Sequence, residues 1–177
     1  MTTMAPAADV VAIQELKAFL RVEDENEDVL LFDVLRAATS TVEQWLGQLL
    51  LQRDLEEKTA VRDGVLRLAL GPVVAIEEVR AEMPDGTAAS LGREEWNVIR
   101  LPGGGAWLRL SDPEWPHCTV RYRAGLAAEW NAVPEPLRLA VIRCAAHFHA
   151  TRDNPAAPRL PEVVRQLVEP FRSVRLV

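Results

Sequence analysis

The hydrophobic period of this chain changes twice along its length, and that order limits the folds it can adopt. In the first part, apolar residues recur at spacings of three and four, as on one face of an α-helix. The longest such stripe consists of Leu31, Leu35, Ala38, Val42, Trp45 and Leu49. Between about residues 64 and 123 the apolar runs become short or alternating, and helical spacing returns after Val133. The sequence therefore predicts helices, then strands, then helices.

These periods and the turn residues between them set the expected boundaries. The sequence predicts helices at about residues 10–21, 27–50, 135–152 and 161–169, and about five or six short strands at about residues 64–123. Neither helical half can bury its apolar stripe alone. We therefore expect an α+β fold, mainly a helical bundle of about four helices with a small inserted antiparallel β region. The length of 177 residues fits a single domain, residues 1–177.

Charge is distributed unevenly along the chain. The net charge is −6; residues 1–63 carry 13 acidic and 6 basic side chains, and residues 134–177 carry 4 acidic and 7 basic ones. A negative balance argues against broad nonspecific binding to nucleic acid, which depends on neutralising phosphates. Ends of opposite charge are typical of a tail that docks on another surface, and equally of solvated helix faces of uneven sign.

The acidic run at residues 23–28 and the two cysteines carry no metal-binding pattern. The run lacks the alternating ligands and central glycine of a calcium loop, so we expect a connector whose acids stabilise the next helix N-terminus. Cys118 and Cys144 have no metal or redox spacing, which predicts buried free thiols in a reducing, cytoplasmic compartment. No apolar run reaches the ~18 residues of a membrane span and no leader opens the sequence, so we expect neither membrane insertion nor secretion.

Motifs for catalysis or cofactor binding are not found in the sequence. Residues 102–105 (PGGG) lead into a strand pattern and lack a following Gly-Lys-Ser/Thr, which favours a turn over a phosphate loop. His147 and His149 lie two apart on a predicted helix and point away from each other, so they cannot bind one metal ion. No serine lies in a Gly-x-Ser-x-Gly elbow. We therefore expect no enzyme activity, no catalytic, cofactor-binding or metal-ligating residue, and no cofactor.

The chain has five tryptophans, four of them in or beside the predicted strand region. A stacking platform for single-stranded nucleic acid would need basic residues among them, but acidic residues stand there instead. This composition favours a protein-protein surface.

Three stretches, in the same order, resemble one known family. Residues 16–22 (LKAFLRV), with the acidic linker and long helix that follow, resemble the opening of head-to-tail connector (adaptor) proteins of tailed bacteriophages. Residues 122–125 (YRAG) with 133–140 (VPEPLRLA) resemble the turn and helix after the strands of that family, and residues 160–172 resemble its closing segment. The same adaptors occur in prophages and gene transfer agents. His147-Phe148-His149 departs from the bulky aromatic pair that the family often has there.

The resemblance implies a structural protein whose single domain is a connector domain. About twelve copies would form a ring beneath the portal protein, extend the DNA channel and dock the next neck or tail completion protein. DNA would pass through without specific binding, and no membrane would be involved. The location implied is the neck of a virion or phage-like particle, with assembly in the host cytoplasm.

Two alternatives to the connector remain: a DNA-binding packaging factor similar to a small terminase subunit, and an unrecognised small enzyme. The first should show a helix-turn-helix with a basic recognition helix. The most basic helix here, around Arg138 and Arg143, instead follows a sheet.

The tail, residues 172–177, is the predicted docking element. Arg172 and Arg175 carry charge without any acid, and Leu176 and Val177 form an apolar tip that a lone soluble domain has little reason to expose. The resemblance implies that the portal or the adjacent subunit receives these four residues. In the rival interpretation, the apolar residues of the tail fold back onto the helices.

Overall fold

The computed structural model of the protein describes residues 10–24, 26–83, 85–101, 104–151, 154 and 160–172. The described residues form two compact units: a helical unit from the residues up to 51 and from 127 onward, and a sheet unit from 52 to 126. The helices are α1 (Val10–Leu20), α2 (Asp28–Leu46), α3 (Glu135–Ala150) and α4 (Glu162–Val168). The strands are β1 (Arg53–Ala60), β2 (Val65–Arg67), β3 (Val73–Glu82), β4 (Ala88–Ser90), β5 (Trp96–Arg100), β6 (Ala106–Leu110) and β7 (His117–Ala124).

The helical unit buries the apolar stripes that the sequence shows. Helix α3 contacts the other three helices, and α2 also contacts α1 and α4. Leu31 and Val42 of α2 and Leu137 of α3 are fully buried in one shared core. A short 3-10 turn, Trp130–Ala132, buries Trp130 in the same core just before α3. Pro136 lies in the first turn of α3, where its missing N–H costs no hydrogen bond.

Helix α2 ends at Leu46, although its apolar stripe predicts a helix to residue 50. Gly47 adopts a left-handed backbone with φ of 69°, which glycine tolerates and which ends helices. The carboxylate Oε1 of the buried Glu43 then accepts a hydrogen bond of 2.8 Å from the backbone N–H of Leu50. The turn after α2 is thus held by a side chain of the helix itself.

The first sheet of the sheet unit has the strand order β1-β7-β3-β4, and every neighbouring pair is antiparallel. Along its strand β7, buried and more exposed side chains alternate strictly. The buried ones are Cys118, Val120, Tyr122 and Ala124. One face of this sheet therefore contributes to a core, and the other is charged.

The second sheet has the order β2-β6-β5 and is also antiparallel. Leu66, Leu108 and Leu110 are buried on its inner face. Gly104, with φ of 84°, lies in the connection between the antiparallel strands β5 and β6, and its N–H donates to the carbonyl of Leu101, so the described part of the glycine-rich segment is a turn, as predicted. The hairpin predicted at residues 83–87 joins β3 to β4, where the N–H of Met83 donates to the carbonyl of Thr87.

The predicted fold class, a mainly helical bundle with a small β insertion, is wrong. The described residues form four helices and seven strands in two antiparallel sheets, which is a mixed α+β fold. The strand that the sequence pattern missed is β1, whose sequence RDLEEKTA buries only Leu55. The other seven side chains are charged or small and give it no alternating apolar signal, and its full-length pairing with β7 makes it a strand.

Both cysteines are buried free thiols, as predicted. Burial raises the pKa of Cys118 to about 11 and that of Cys144 to about 12, so both are protonated at neutral pH. Among the described helices, none combines the length and hydropathy that crossing a bilayer requires.

Candidate docking surfaces

Two contacts hold the C-terminal segment against the end of α2, and one ion pair within the segment accompanies them. The side-chain amide of the buried Gln48 donates a hydrogen bond of 3.2 Å to the backbone carbonyl of Phe171. The guanidinium of Arg172 lies 5.3 Å from the ring centroid of Trp45 and its Nη1 lies 3.7 Å from Oε1 of Glu169. These contacts, which we call the C-terminal anchor, fix the position of Arg172 at the end of α2.

Of the four predicted docking residues, only Arg172 lies within the described part of the chain, and it belongs to the C-terminal anchor. Arg175, Leu176 and Val177 lie outside the described residues, as does Val174. Trp45 and Gln48 are the residues that the sequence reasoning missed. In the sequence, Trp45 is one more member of an apolar stripe. No sequence pattern marks Gln48, because its role depends on a contact with a residue 123 positions away.

The outer face of the four-stranded sheet is a network of paired charges. Arg123 donates from Nε to Asp54 at 2.7 Å and lies 3.5 Å from Glu77, while Arg121 lies 3.4 Å from Glu78. Arg80 also bonds Glu78, at 2.8 Å.

These pairs hold the carboxylates in their charged form. The hydrogen bond from Arg123 lowers the pKa of Asp54, and the one from Arg80 lowers the pKa of Glu78. Hydrogen bonds from Lys58 and Thr119 do the same for the pKa of Glu82. This face is thus nearly neutral and internally satisfied, and has little charge to offer a partner.

The outer face of the three-stranded sheet has a different composition. We call it the Arg-Trp face, and its members are Val65, Arg67, Asn97, Ile99, Trp107 and Arg109. Arg67, Asn97 and Arg109 are exposed, and Trp107 retains 39% of its surface. None of the six is acidic. The sequence shows that these residues alternate with apolar ones along β2, β5 and β6, but only the pairing of the strands brings them together on one face.

The five tryptophans do not form one surface. Trp96 and Trp130 are buried in the two separate units, Trp45 and Trp115 are half-buried, and Trp107 is exposed. The aromatic protein-protein surface therefore stays a prediction, and Trp107 is the residue that it concerns.

The histidines and acids do not gather into a metal site within the described residues, where no group of three or more potential ligands is found. His149 Nε2 lies 3.4 Å from Oε2 of Glu27, and His147 contacts the ring of Phe148. The acids at residues 23–28 also make local contacts: Asp24 accepts from Asn26, and Asp28 forms a 2.6 Å ion pair with Lys17.

Comparison with known proteins agrees with the resemblance seen in the sequence. Residues 11–85 match the family described as "Phage gp6-like head-tail connector protein". This match spans 75 of the 177 residues, and over that part of the chain it supports the predicted resemblance to head-to-tail connectors. The description of that family, a head-tail connector protein, agrees with the predicted structural role.

Three solved structures share this fold over nearly the whole chain. One is the neck of an empty gene transfer agent particle computed with C6 symmetry, at 22% identity and a TM-score of 0.77, covering 97% of this chain and 95% of that one. Another is the virion of a native gene transfer agent particle, at 23% identity and a TM-score of 0.78, covering 99% of this chain and 96% of that one. The third is the neck of a native gene transfer agent particle computed with C12 symmetry, at 23% identity and a TM-score of 0.75, covering 100% of this chain and 98% of that one. No curated protein matches the chain.

Proposed function

We propose that this connector assembles into a ring of about twelve copies in the neck of a phage-like particle, beneath the portal and around the path of the DNA. The observation that carries the proposal is the similarity over 97–100% of the chain to proteins of particle necks, one of which was computed with C12 symmetry. In this proposal both units belong to one connector domain, and the ring also docks the next neck or tail completion protein.

The charge of the described surfaces supports passage of DNA without specific binding. The four-stranded sheet presents arginines that are each already paired with a carboxylate, so few of its cations are free to neutralise phosphates. The net charge of −6 opposes tight binding of a polyanion. The small-terminase alternative has no such support, since the basic side chain of Arg138 on α3 lies 3.6 Å from Glu15 and is not presented as a recognition surface.

The tail is the docking element of this proposal, with the portal or the adjacent subunit as its receptor. The C-terminal anchor holds Arg172 at the end of α2, and residues 173–177 can extend at most about 18 Å beyond it. A short basic and apolar segment that leaves from a fixed point suits a partner of defined position, because little of its freedom is lost on docking.

Electron microscopy and native mass spectrometry of the concentrated protein, alone and mixed with a portal protein, test the ring. Ring subunits contact each other by two different patches, so closure depends on concentration or on a template, and a monomer in dilute solution is expected. The proposal requires rings with rotational symmetry in at least one of the two samples. An obligate two-fold dimer with a large interface, in both samples, would overturn it.

A further inference from the structure

We propose that the Arg-Trp face of one copy binds the acidic segment, residues 23–28, of a neighbouring copy. This inference rests on the proposed ring, because it names the contact between adjacent subunits. It assigns a role to a described surface of the sheet unit on which Arg67 and Arg109 are exposed and unpaired.

The strand register places the arginines and the tryptophan side by side. Arg67 on β2 lies opposite Trp107 on β6, which lies opposite Ile99 on β5. In the next row that points outward, Arg109 lies between Val65 and Asn97. Directly opposed residues in an antiparallel sheet lie about 4.5–5.5 Å apart at Cβ, so the face is one continuous patch.

The arginines of this face have no described partner. Neither Arg67 nor Arg109 forms a hydrogen bond or an ion pair with any residue that the structure describes. By contrast, Arg80, Arg121 and Arg123 on the four-stranded sheet all pair with carboxylates. Arginine and tryptophan are the residues most enriched among binding hot spots, and an interface core is depleted in lysine and acids. The composition of the Arg-Trp face therefore suits the burial of a complementary partner.

The acidic segment supplies that complement within the same chain. Five of its six residues are acidic, and Asn26 is the sixth. Glu23 and Asp24 are exposed, and Glu23 has no described partner. Since the segment belongs to the helical unit and the Arg-Trp face to the sheet unit, their contact between two copies joins different patches. Such heterologous contacts close rings.

The net charge of the subunit gives a further reason for this pairing. Each copy carries −6, so neighbouring copies repel one another unless the contact brings opposite charges together. Two unpaired arginines on a surface without acids meet a segment with surplus acid, which offsets that repulsion locally. Nucleic acid is a weaker candidate for the same face, because two free cations neutralise few phosphates.

A charge-swap experiment tests the contact. The face variant combines Arg67→Glu with Arg109→Glu, and the segment variant combines Glu23→Lys with Asp24→Lys. The control combines Arg36→Glu with Arg165→Glu, which changes the net charge as much as the face variant does and lies on exposed positions of α2 and α4. Circular dichroism and thermal melting first establish that each variant is folded.

The concentration at half-assembly, measured by native mass spectrometry and sedimentation, is the readout. We expect each double variant alone to raise this concentration by about tenfold or more, and the control to change it by less than about threefold. Mixing the face and segment variants in equal amounts should restore rings, because the reversed charges are again complementary. Wild-type assembly should weaken as salt increases.

Three outcomes would overturn the inference. If wild-type rings form and the face variant assembles as well as the control, the contact is absent while the proposed function stands. If the face variant assembles normally but loses binding of a short DNA duplex, the face serves nucleic acid instead. If the wild type forms no ring even with a portal, the proposed function fails and this contact fails with it.

Discussion

The guanidinium of Arg172 lies over the indole ring of Trp45, 5.3 Å from its centroid. Trp45 is in the last turn of α2, whereas Arg172 is the last residue that the structure describes, so this contact joins two distant parts of the helical unit. We expect Arg172→Ala to lower the free energy of unfolding by about 0.5–1 kcal/mol, as for a half-exposed cation-π pair. Urea unfolding measures the loss. Arg165→Ala, which removes only an exposed ion pair to Glu162, is the control and should cost less.

Deletion of residues 173–177 separates docking from fold-back. If the tail docks on a partner, the thermal midpoint stays near that of the full chain, and the truncated protein fails to join portal to tail in a particle-completion assay. Fold-back predicts instead a loss of about 2–4 kcal/mol, roughly the cost of removing two buried aliphatic side chains. A truncated protein that is fully stable and also completes particles contradicts both interpretations.

Leu137 and Leu139 lie two positions apart on α3 but differ in burial. Leu137 is fully buried in the helical core, whereas Leu139 retains 38% of its surface. We expect Leu137→Ala to cost about 2–5 kcal/mol, because it leaves a cavity, and Leu139→Ala to cost less than about 1 kcal/mol. Denaturant unfolding of both variants checks the difference. Equal losses would mean that α3 does not pack as described.

The paired carboxylates of the four-stranded sheet predict a loss of stability in acid. Their arginine and lysine partners lower the folded-state pKa of Asp54, Glu78 and Glu82. A carboxylate whose pKa is lower in the folded state contributes stability above its unfolded pKa, near 4, and loses it as pH falls through the folded pKa. The urea midpoint should therefore be constant from pH 7 to about 5 and fall below about pH 4.5. Arg123→Gln should flatten this fall, since it removes the partner of Asp54; an identical profile would contradict the role of that pair.

The two thiols should resist alkylation in the native protein. Because burial raises the pKa of Cys118 to about 11 and of Cys144 to about 12, almost no thiolate is present at pH 8. Intact-mass measurement after iodoacetamide treatment should show no added group in buffer and two in urea. Rapid labelling of either thiol in buffer would show that its surroundings open to solvent.

The sequence by itself determined the helical unit and much of the chemistry. The stripes of α1, α2 and α3, the hairpin at residues 83–87 and the burial of both thiols all follow from patterns within one segment, so local periodicity and turn residues were enough to predict them. The resemblance to connectors was also visible in the sequence, because its motifs are short and lie in a fixed order along the chain, and the family match over residues 11–85 supports it.

The tertiary structure alone decided the balance of the fold and the character of its surfaces. Strand β1 carries a single buried residue, Leu55, and exists because β7 pairs with it along its whole length, which no local pattern encodes. The same pairing gives Arg123 its partner Asp54, and the pairing of β7 with β3 gives Arg121 its partner Glu78. The register of β2 and β6 leaves Arg67 and Arg109 without any partner that the structure describes. Whether a charged side chain is satisfied or available to a partner depends on which strand lies beside it, and that is a property of long-range pairing rather than of sequence.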